Sequence, residues 1–262
     1  MALADATELY AACVSSAREA GAYLLQRFKS KNLSVMSEAS HDVKLDVDVE
    51  TEELIKKNLS GLFPGHGFIC EESGLRDLKP DDNWVVDPLD GTVNFFAGIP
   101  HFCTSVAFKR AGNFLVGAVY DPLRDEMFSA RRGGGAYLNG EPLRRREVGS
   151  LAQTVVSGGF FKARSIEEGT RVFRDLTVKV KKIRFLGSAA LDLCYLACGR
   201  FNAYLQHQVN EWDIAAAGLI AEEAGVLVEV FHQGERMDVL AADRNIYADL
   251  RDIIFPGRRA AL

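Results

Sequence analysis

The sequence predicts an α/β protein with an α+β N-terminal half, residues 1–146, and an α/β C-terminal half, residues 147–262. Two changes of pattern indicate this class. Segments with apolar residues at helical spacing come first, and short β-rich runs follow between residues 67 and 141. After about residue 147, β-rich runs alternate with helical segments, as in folds that stack layers of helix and sheet.

Two helices are predicted before the first β-rich run. Apolar residues recur every three or four positions near the start of the chain, which is typical of a helix buried on one face. These residues are Leu9, Cys13, Ala17, Ala20, Leu24 and Phe28. A second helix is predicted over about residues 47–62, where Gly61 and Pro64 end the pattern, and Asp48 falls in its first turn.

The strands are separated by turn residues. The N-terminal half contains the runs GFIC, WVVD, FCTSVAF, FLVGAVYD, EMFSAR and GAYLNGEPL, with hairpin turns predicted at 111–113 and at Asn139-Gly140. The stretch RRREVGSLAQ reads as a linker between the halves. The C-terminal half alternates the strands VVSGG, KIRFL, NAYLQ and VLVEV with helices near 165–178, 188–199, 213–224 and 245–254.

The composition narrows the classes of function. A chain of 262 residues with 48% hydrophobic and 26% charged residues can bury a sizeable core. The net charge is −5 and the basic clusters are short, so nucleic acid is not an expected partner. Five cysteines without a CxxC pair fit a reducing compartment. No apolar stretch approaches the roughly 20 residues of a membrane span and no signal-like segment is present, so we expect a cytoplasmic protein without membrane contact.

The stretch WVVDPLDGTVNF places Asp87 and Asp90 at the end of an apolar run. Like charges this close raise each other's pKa unless a cation or a proton lies between them. A turn built on Pro88 is one interpretation, but it does not explain why a buried strand leads into two carboxylates. Mg²⁺ explains the pair, because it takes oxygen ligands and shares them with a substrate phosphate. Gly91, and a helix that begins at Thr92, supply N–H groups for that phosphate.

Further acidic residues stand at the ends of predicted elements. They are Asp48 in a first helical turn, Glu71 and Glu72 directly after GFIC, and Asp213 at a helix start. Each also has a simpler interpretation: an N-cap for Asp213, a charge at the positive end of a helix for Asp48, and a solvated turn for the glutamates. Strand ends and helix starts are nevertheless where open sheets gather ligand sites.

Taken together, these blocks resemble the inositol monophosphatase family of Mg²⁺-dependent, lithium-sensitive phosphatases. WVVDPLDGTVNF followed by AGIPHFCTSVAF looks like the family's first signature, and NEWDIAAAGLIAEEAG looks like its second. EES at 71–73, GSAALDL at 187–193 and ACGRFNAYL at 197–205 also match in order and spacing. The resemblance implies a layered α-β-α-β-α sandwich and a homodimer.

The resemblance also implies a role for each site residue. The implied metal ligands for two or three Mg²⁺ ions are Glu71, Asp87, the Leu89 carbonyl, Asp90 and Asp213, with Asp87 bridging two ions. The implied catalytic residues are Asp48 and Thr92, which orient and deprotonate water, and Glu72, which supports the ligands or a third ion. The implied substrate-binding residues are Gly91, Thr92, Gly187, Ser188, Ala189 and Gln206.

The implied reaction is phosphomonoester hydrolysis by metal-activated water. The expected substrates are inositol 1-phosphate or related small sugar or polyol phosphates. Fructose 1,6-bisphosphate, histidinol phosphate and 3′-phosphoadenosine nucleotides are alternatives. A catalytically silent interaction module is the alternative from another class, but such a chain should have lost at least one of the carboxylate ligands or Thr92, and this sequence keeps them all.

Two positions depart from the family pattern. Lys44-Leu45 stands before Asp48 where many members have valine-threonine, and Lys44 either reaches a substrate phosphate or lies on the surface, the interpretation we favour. Gln206 stands where inositol-specific members often carry a glutamate to a ring hydroxyl. The second departure predicts a wider substrate range.

Overall fold

The structure, a computed structural model, describes residues 5–30, 33–39, 42–74, 78–159, 165–234 and 236–255. The helices are α1 (Ala6–Ser30), α2 (Asp46–Leu62), α3 (Thr92–Ala97), α4 (Ile166–Thr177), α5 (Ala189–Ala197), α6 (Glu211–Glu223) and α7 (Arg244–Ile254). The strands are β1 (Val35–Ala39), β2 (Asp42–Leu45), β3 (Gly67–Cys70), β4 (Asp82–Asp90), β5 (Cys103–Arg110), β6 (Asn113–Asp121), β7 (Glu126–Arg131), β8 (Gly135–Leu138), β9 (Glu141–Pro142), β10 (Val155–Gly159), β11 (Lys182–Arg184), β12 (Ala203–Val209), β13 (Leu227–Gln233) and β14 (Arg236–Ala242).

The described elements stack in five layers, which confirms the predicted α-β-α-β-α sandwich. The pair α1 and α2 covers one face of a seven-stranded sheet of order β3-β4-β5-β6-β7-β8-β9. Helices α5 and α6 fill the middle layer between this sheet and a five-stranded sheet of order β11-β10-β12-β14-β13. Helices α4 and α7 cover the outer face of the second sheet.

Strand β4 shows how the first sheet is buried on both faces. Trp84 and Val86 belong to the core cluster formed with α1 and α2, whereas Val85 belongs to the cluster formed with α5 and α6. Successive side chains of a strand point to opposite faces, so a strand covered on both sides is apolar throughout. The run WVV is therefore the buried part of β4, and it leads directly to Asp87.

The hairpin turns confirm two sequence predictions. Ala111 and Gly112 have φ of 49° and 81°, and Asn139 and Gly140 have φ of 52° and 82°. Positive φ at two successive central residues is what a type I′ hairpin turn requires. The two turns set the antiparallel register of β5 with β6 and of β8 with β9.

Two parts of the fold were not predicted. The antiparallel pair β1–β2 has Val35 and Met36 exposed by 44% and 58% on β1, whereas Leu45 at the end of β2 is buried in a core cluster with Val47 and Leu89. Strand β14 lies between β12 and β13 and is antiparallel to both. Its buried Asp238 interrupts the apolar pattern and pairs with His207, 3.2 Å from Nδ1 to Oδ2.

The division into halves at residues 146 and 147 stays a prediction. The seven-stranded sheet ends at Pro142 and the five-stranded sheet begins at Val155. One core cluster nevertheless contains residues of both sheets, such as Val119 and Tyr204. None of the helices in the described ranges combines the length and the apolar character that crossing a membrane requires.

Candidate active site

The end of β4 departs from regular pairing where the two aspartates stand. Asp87 pairs with Ser105 and Asp90 with Cys103, so two residues are passed on β4 and one on β5. The Asp87 carboxylate accepts the Leu89 N–H at 3.0 Å, and the Thr92 hydroxyl donates to the Leu89 carbonyl oxygen at 2.9 Å. Such an irregularity bends the strand and re-aims its side chains, which is why bulges recur beside active sites.

Gly91 joins β4 to α3 in a conformation that needs glycine. Its φ is 93°, and a Cβ there would lie 3.0 Å from the His101 carbonyl oxygen and 3.3 Å from Phe102 Cα. The chain therefore turns tightly enough to begin α3 at Thr92, as the sequence predicts.

Four of the predicted metal ligands lie close enough to shift one another's titration. Burial raises the pKa of Asp87 well above its ordinary value, and the charges of Glu71, Asp90 and Asp213 raise it further. Burial likewise raises the pKa of Glu71, followed by the charge of Asp213, although a hydrogen bond between Glu71 and Asp87 opposes the shift. The fold thus concentrates negative charge where strands β3 and β4 end and α6 begins.

Three carboxylates of the region accept hydrogen bonds at helix starts. Asp48 and Asp213 are each the third residue of their helix, and they accept the N–H groups of Leu45 at 2.7 Å and Asn210 at 2.8 Å. The interpretation of Asp213 as an N-cap is therefore wrong, because Asn210 holds that position.

Asp90 accepts donors at the start of α5. The Ser188 hydroxyl lies at 2.5 Å, and the N–H groups of Ala190 and Ala189 lie at 2.8 and 3.2 Å. Burial raises the pKa of Asp90, while these three hydrogen bonds lower it. Ser188 and Ala189, two predicted substrate contacts, are thus direct neighbours of a predicted metal ligand.

Among the described residues, no three acidic, histidine or cysteine side chains form a ready-made cage for an ion. Asp48, Asp90 and Asp213 instead accept hydrogen bonds from N–H groups at the starts of α2, α5 and α6, where the helix dipoles favour negative charge. The donor set still fits Mg²⁺, because it consists of oxygen ligands and because a cation would offset the burial and the neighbouring carboxylate charges that raise the pKa of Asp87.

Glu72 lies in a separate arrangement of charges. Its N–H donates to Glu52 Oε2 at 2.8 Å, and its carboxylate forms an ion pair with Lys44. The hydrogen bond to Glu72 is the main reason why the pKa of Lys44 is raised. The interpretation of Glu71-Glu72 as a solvated turn is therefore wrong, whereas Lys44 lies at the surface, 36% exposed, in an ion pair that the sequence did not predict.

Sequence reasoning missed Glu52, which is only 3% exposed. A signal was present, because Glu52 follows Asp48 by four residues and therefore shares its helix face. A buried pair of carboxylates one turn apart on α2 is unusual unless cations or N–H donors face it.

Asn94 was missed as well. Its Nδ2 donates to the carbonyl oxygens of His101 and Leu186, both at 2.8 Å. The second bond fixes the segment before α5 to α3, and Gly187 follows with φ of 85°. Asn94 therefore positions Gly187 and Ser188 beside Asp90.

Gln206 lies on β12, half-buried and in register with Gly159 of β10. A Cβ at Gly159 would meet the Gln206 amide at 2.5 Å, so glycine makes room for this side chain. Gln206 has the strand parity of Tyr204, which packs in the middle layer with α5 and α6. Its predicted contact with the leaving group stays a prediction.

The chain is similar to known proteins over most of its length. A model of the inositol monophosphatase family matches residues 5–254. The chain is 41% identical over 225 residues to the Nus factor SuhB of Pasteurella multocida, with 84% of each chain covered. It is 37% identical over 228 residues to the inositol-1-monophosphatase of Mesorhizobium japonicum, with 86% of each chain covered.

A solved structure is also similar to this one. The extragenic suppressor protein suhB from Bartonella henselae superposes with a TM-score of 0.88 at 32% sequence identity. The alignment covers 94% of this chain and 98% of that chain.

Proposed function

The chain belongs to the inositol monophosphatase family and is a phosphatase of that family, and from this premise we propose that it hydrolyses inositol 1-phosphate and related small sugar or polyol phosphates with Mg²⁺. The observation that carries the proposal is that the carboxylates of Glu71, Asp87, Asp90 and Asp213 converge where β3 and β4 end and α6 begins, beside the tight turn at Gly91. Carboxylates next to backbone donors suit a cation and a phosphate together.

Each residue has a proposed part in the reaction. Glu71, Asp87, Asp90 and Asp213 would hold the cations together with the Leu89 carbonyl oxygen. Bound Mg²⁺ lowers the pKa of water and offsets the charge that builds on the phosphoryl oxygens. We propose that these ligands hold two or three Mg²⁺ ions.

The remaining residues act on water and substrate. Asp48, held by the Leu45 N–H, accepts the proton of the attacking water, and Thr92, held by the Leu89 carbonyl, orients that water. The N–H groups of Gly91 and Thr92 bind the phosphate. The segment Gly187, Ser188 and Ala189 lies next to Asp90, where it meets the leaving alcohol. Glu72 supports this arrangement from the side of α2.

The proposal is tested by phosphate release from inositol 1-phosphate. We expect release in millimolar Mg²⁺, loss of release in excess EDTA, and recovery when Mg²⁺ is restored. Inhibition by LiCl, against matched NaCl, is expected from the family's lithium sensitivity. The same assay on fructose 1,6-bisphosphate, histidinol phosphate and 3′-phosphoadenosine nucleotides separates the alternative substrates.

Two outcomes would contradict the proposal. Phosphate release that does not change in excess EDTA would exclude a role for Mg²⁺ in the reaction. No phosphate release from any of these compounds would favour an interaction role without catalysis. The second outcome matters because relatives such as that of Pasteurella multocida carry the name of a factor rather than of an enzyme.

Homodimer assembly also stays a prediction, supported by the exposed apolar side chains Val93, Phe96 and Ile99 that follow Gly91.

Gln206→Glu is expected to shift substrate preference. A neutral amide both donates and accepts, whereas a carboxylate only accepts and therefore selects a hydroxyl donor. We expect kcat/KM for inositol 1-phosphate, relative to other sugar phosphates, to rise roughly 2- to 10-fold. This factor corresponds to the free energy of one hydrogen bond, about 0.5–1.5 kcal/mol. The measurement is kcat/KM across the substrate panel.

The matched control is Gln153→Glu, which adds the same charge at an exposed position before β10. Dependence on Mg²⁺ should not change in either variant. An unchanged substrate ranking in Gln206→Glu would show that this side chain does not meet the leaving alcohol.

A further inference from the structure

Lys44 brings a fixed positive charge to the edge of the carboxylate region. It lies on β2, directly before Leu45, the N-cap residue of α2. Its ammonium group pairs with the Glu72 carboxylate, and the charges of Glu52 and Asp48 also act on it. Lys44 therefore has one acidic partner in contact and two more that act on its charge, while its own side chain remains 36% exposed.

Two successive glutamates face different partners. The charge of Glu71 acts on Asp87, in the group of four carboxylates, whereas Glu72 pairs with Lys44. The Glu72 backbone is fixed by the hydrogen bond of its N–H to buried Glu52, and its side chain is only 10% exposed. Glu72 is thus held in place, and the cation nearest to it is part of the chain itself.

We propose that the Lys44 ammonium group takes the place of a divalent cation at Glu72, so that the site binds one cation fewer than it would with an uncharged residue at position 44. This inference rests on the proposed function, because it concerns the cations of the same site. A lysine ammonium is a compact point charge that satisfies a carboxylate without the cost of recruiting an ion from solution. A divalent cation at Glu72 must displace this group and then lie beside its positive charge, which disfavours binding.

The test is to count bound Mn²⁺ on the full chain by equilibrium dialysis, for the wild type and for Lys44→Met. Methionine keeps the length and the apolar stem of lysine but removes the charge. We expect the variant to bind one more Mn²⁺ per chain, or to bind its weakest Mn²⁺ at least about tenfold more tightly. Lys44→Arg keeps the charge and should match the wild type.

Two further variants make the result specific. Lys56→Met is the matched control, because Lys56 is also half-buried and donates to the hydroxyl of Ser73, the residue after Glu72, at 3.3 Å. It should bind Mn²⁺ like the wild type. Adding Glu72→Gln to Lys44→Met should remove the additional Mn²⁺. Circular dichroism confirms that each variant is folded.

The outcomes separate this inference from the proposed function. Equal Mn²⁺ counts and affinities in the wild type and Lys44→Met would overturn the role of Lys44 and leave the phosphatase proposal intact. A gain of equal size in Lys56→Met would overturn it too, because any lost lysine charge would then suffice. A wild-type chain that binds no Mn²⁺ would overturn both proposals.

Discussion

Replacement of Asp90 by asparagine is expected to lower the rate of phosphate release by at least about 100-fold at saturating Mg²⁺, since loss of a residue that only supports a ligand already costs about 10–100-fold. The substitution keeps the size of the side chain and removes one charge from the proposed cation site. It also replaces one acceptor oxygen with an NH₂ group, which cannot accept a hydrogen bond. Asp90 accepts three hydrogen bonds at the start of α5. Steady-state phosphate release is the measurement.

The second consequence of this variant is a loss of stability. Donors of Ser188, Ala189 or Ala190 would lose an acceptor, which costs about 1–3 kcal/mol for each buried group left unsatisfied. Rates are therefore compared below the unfolding midpoint of the variant, with folding checked by circular dichroism. Near wild-type turnover there would refute the assignment of Asp90 as a metal ligand.

The matched control is Asp82→Asn, at the other end of the same strand. Asp82 forms an ion pair with Arg110 at 2.7 Å, far along β4 from Asp90. A partly exposed ion pair contributes little to stability, about 0–1 kcal/mol. This variant should retain wild-type activity, so a fall in both variants would indicate damage to β4 rather than to the site.

The sequence predicted the parts of the site that local pattern determines. The apolar run before Asp87 marks a buried strand, and the Asp90-Gly91-Thr92 sequence marks its abrupt end. The residues it missed are fixed by contacts between distant segments. Asn94 matters because it reaches the Leu186 carbonyl, 92 residues away along the chain. No periodicity on α3 indicates that contact.

Lys44 and Asp238 are charged residues whose partners could not be predicted from the sequence. The sequence around Lys44 does not indicate a partner for its charge. The partner is Glu72, which the fold brings close because β3 ends next to α2. Asp238 breaks the apolar pattern of β14, and its burial is explained by two partners on the neighbouring strand, the His207 ring and the Gln208 N–H, which donates to Asp238 at 3.2 Å. Buried polar residues require partners, and the sequence does not say which segment supplies them.

Mg²⁺ is expected to raise the thermal unfolding midpoint, and to raise it more as the pH increases. The folded pKa values of Glu71 and Asp87 lie well above their ordinary values of 4.5 and 3.8. The folded chain therefore holds protons that the unfolded chain has lost. The stability from these groups is present below their ordinary pKa values and is lost as the pH rises through the raised ones.

Cation binding reverses this dependence, because the ligand carboxylates must lose their protons first. At a free concentration of about 100 times Kd, one site adds about 2.7 kcal/mol, which corresponds to roughly 5–10 °C for a chain of this size. The midpoint is measured by circular dichroism with and without MgCl₂ at about pH 6 and about pH 8, against NaCl of equal ionic strength. The metal-free chain should be less stable at the higher pH, where the gain from Mg²⁺ should be largest. A gain that is the same at both pH values, or no larger than that from NaCl, would contradict the assignment of these carboxylates as cation ligands, because no proton would then be released when the cation binds.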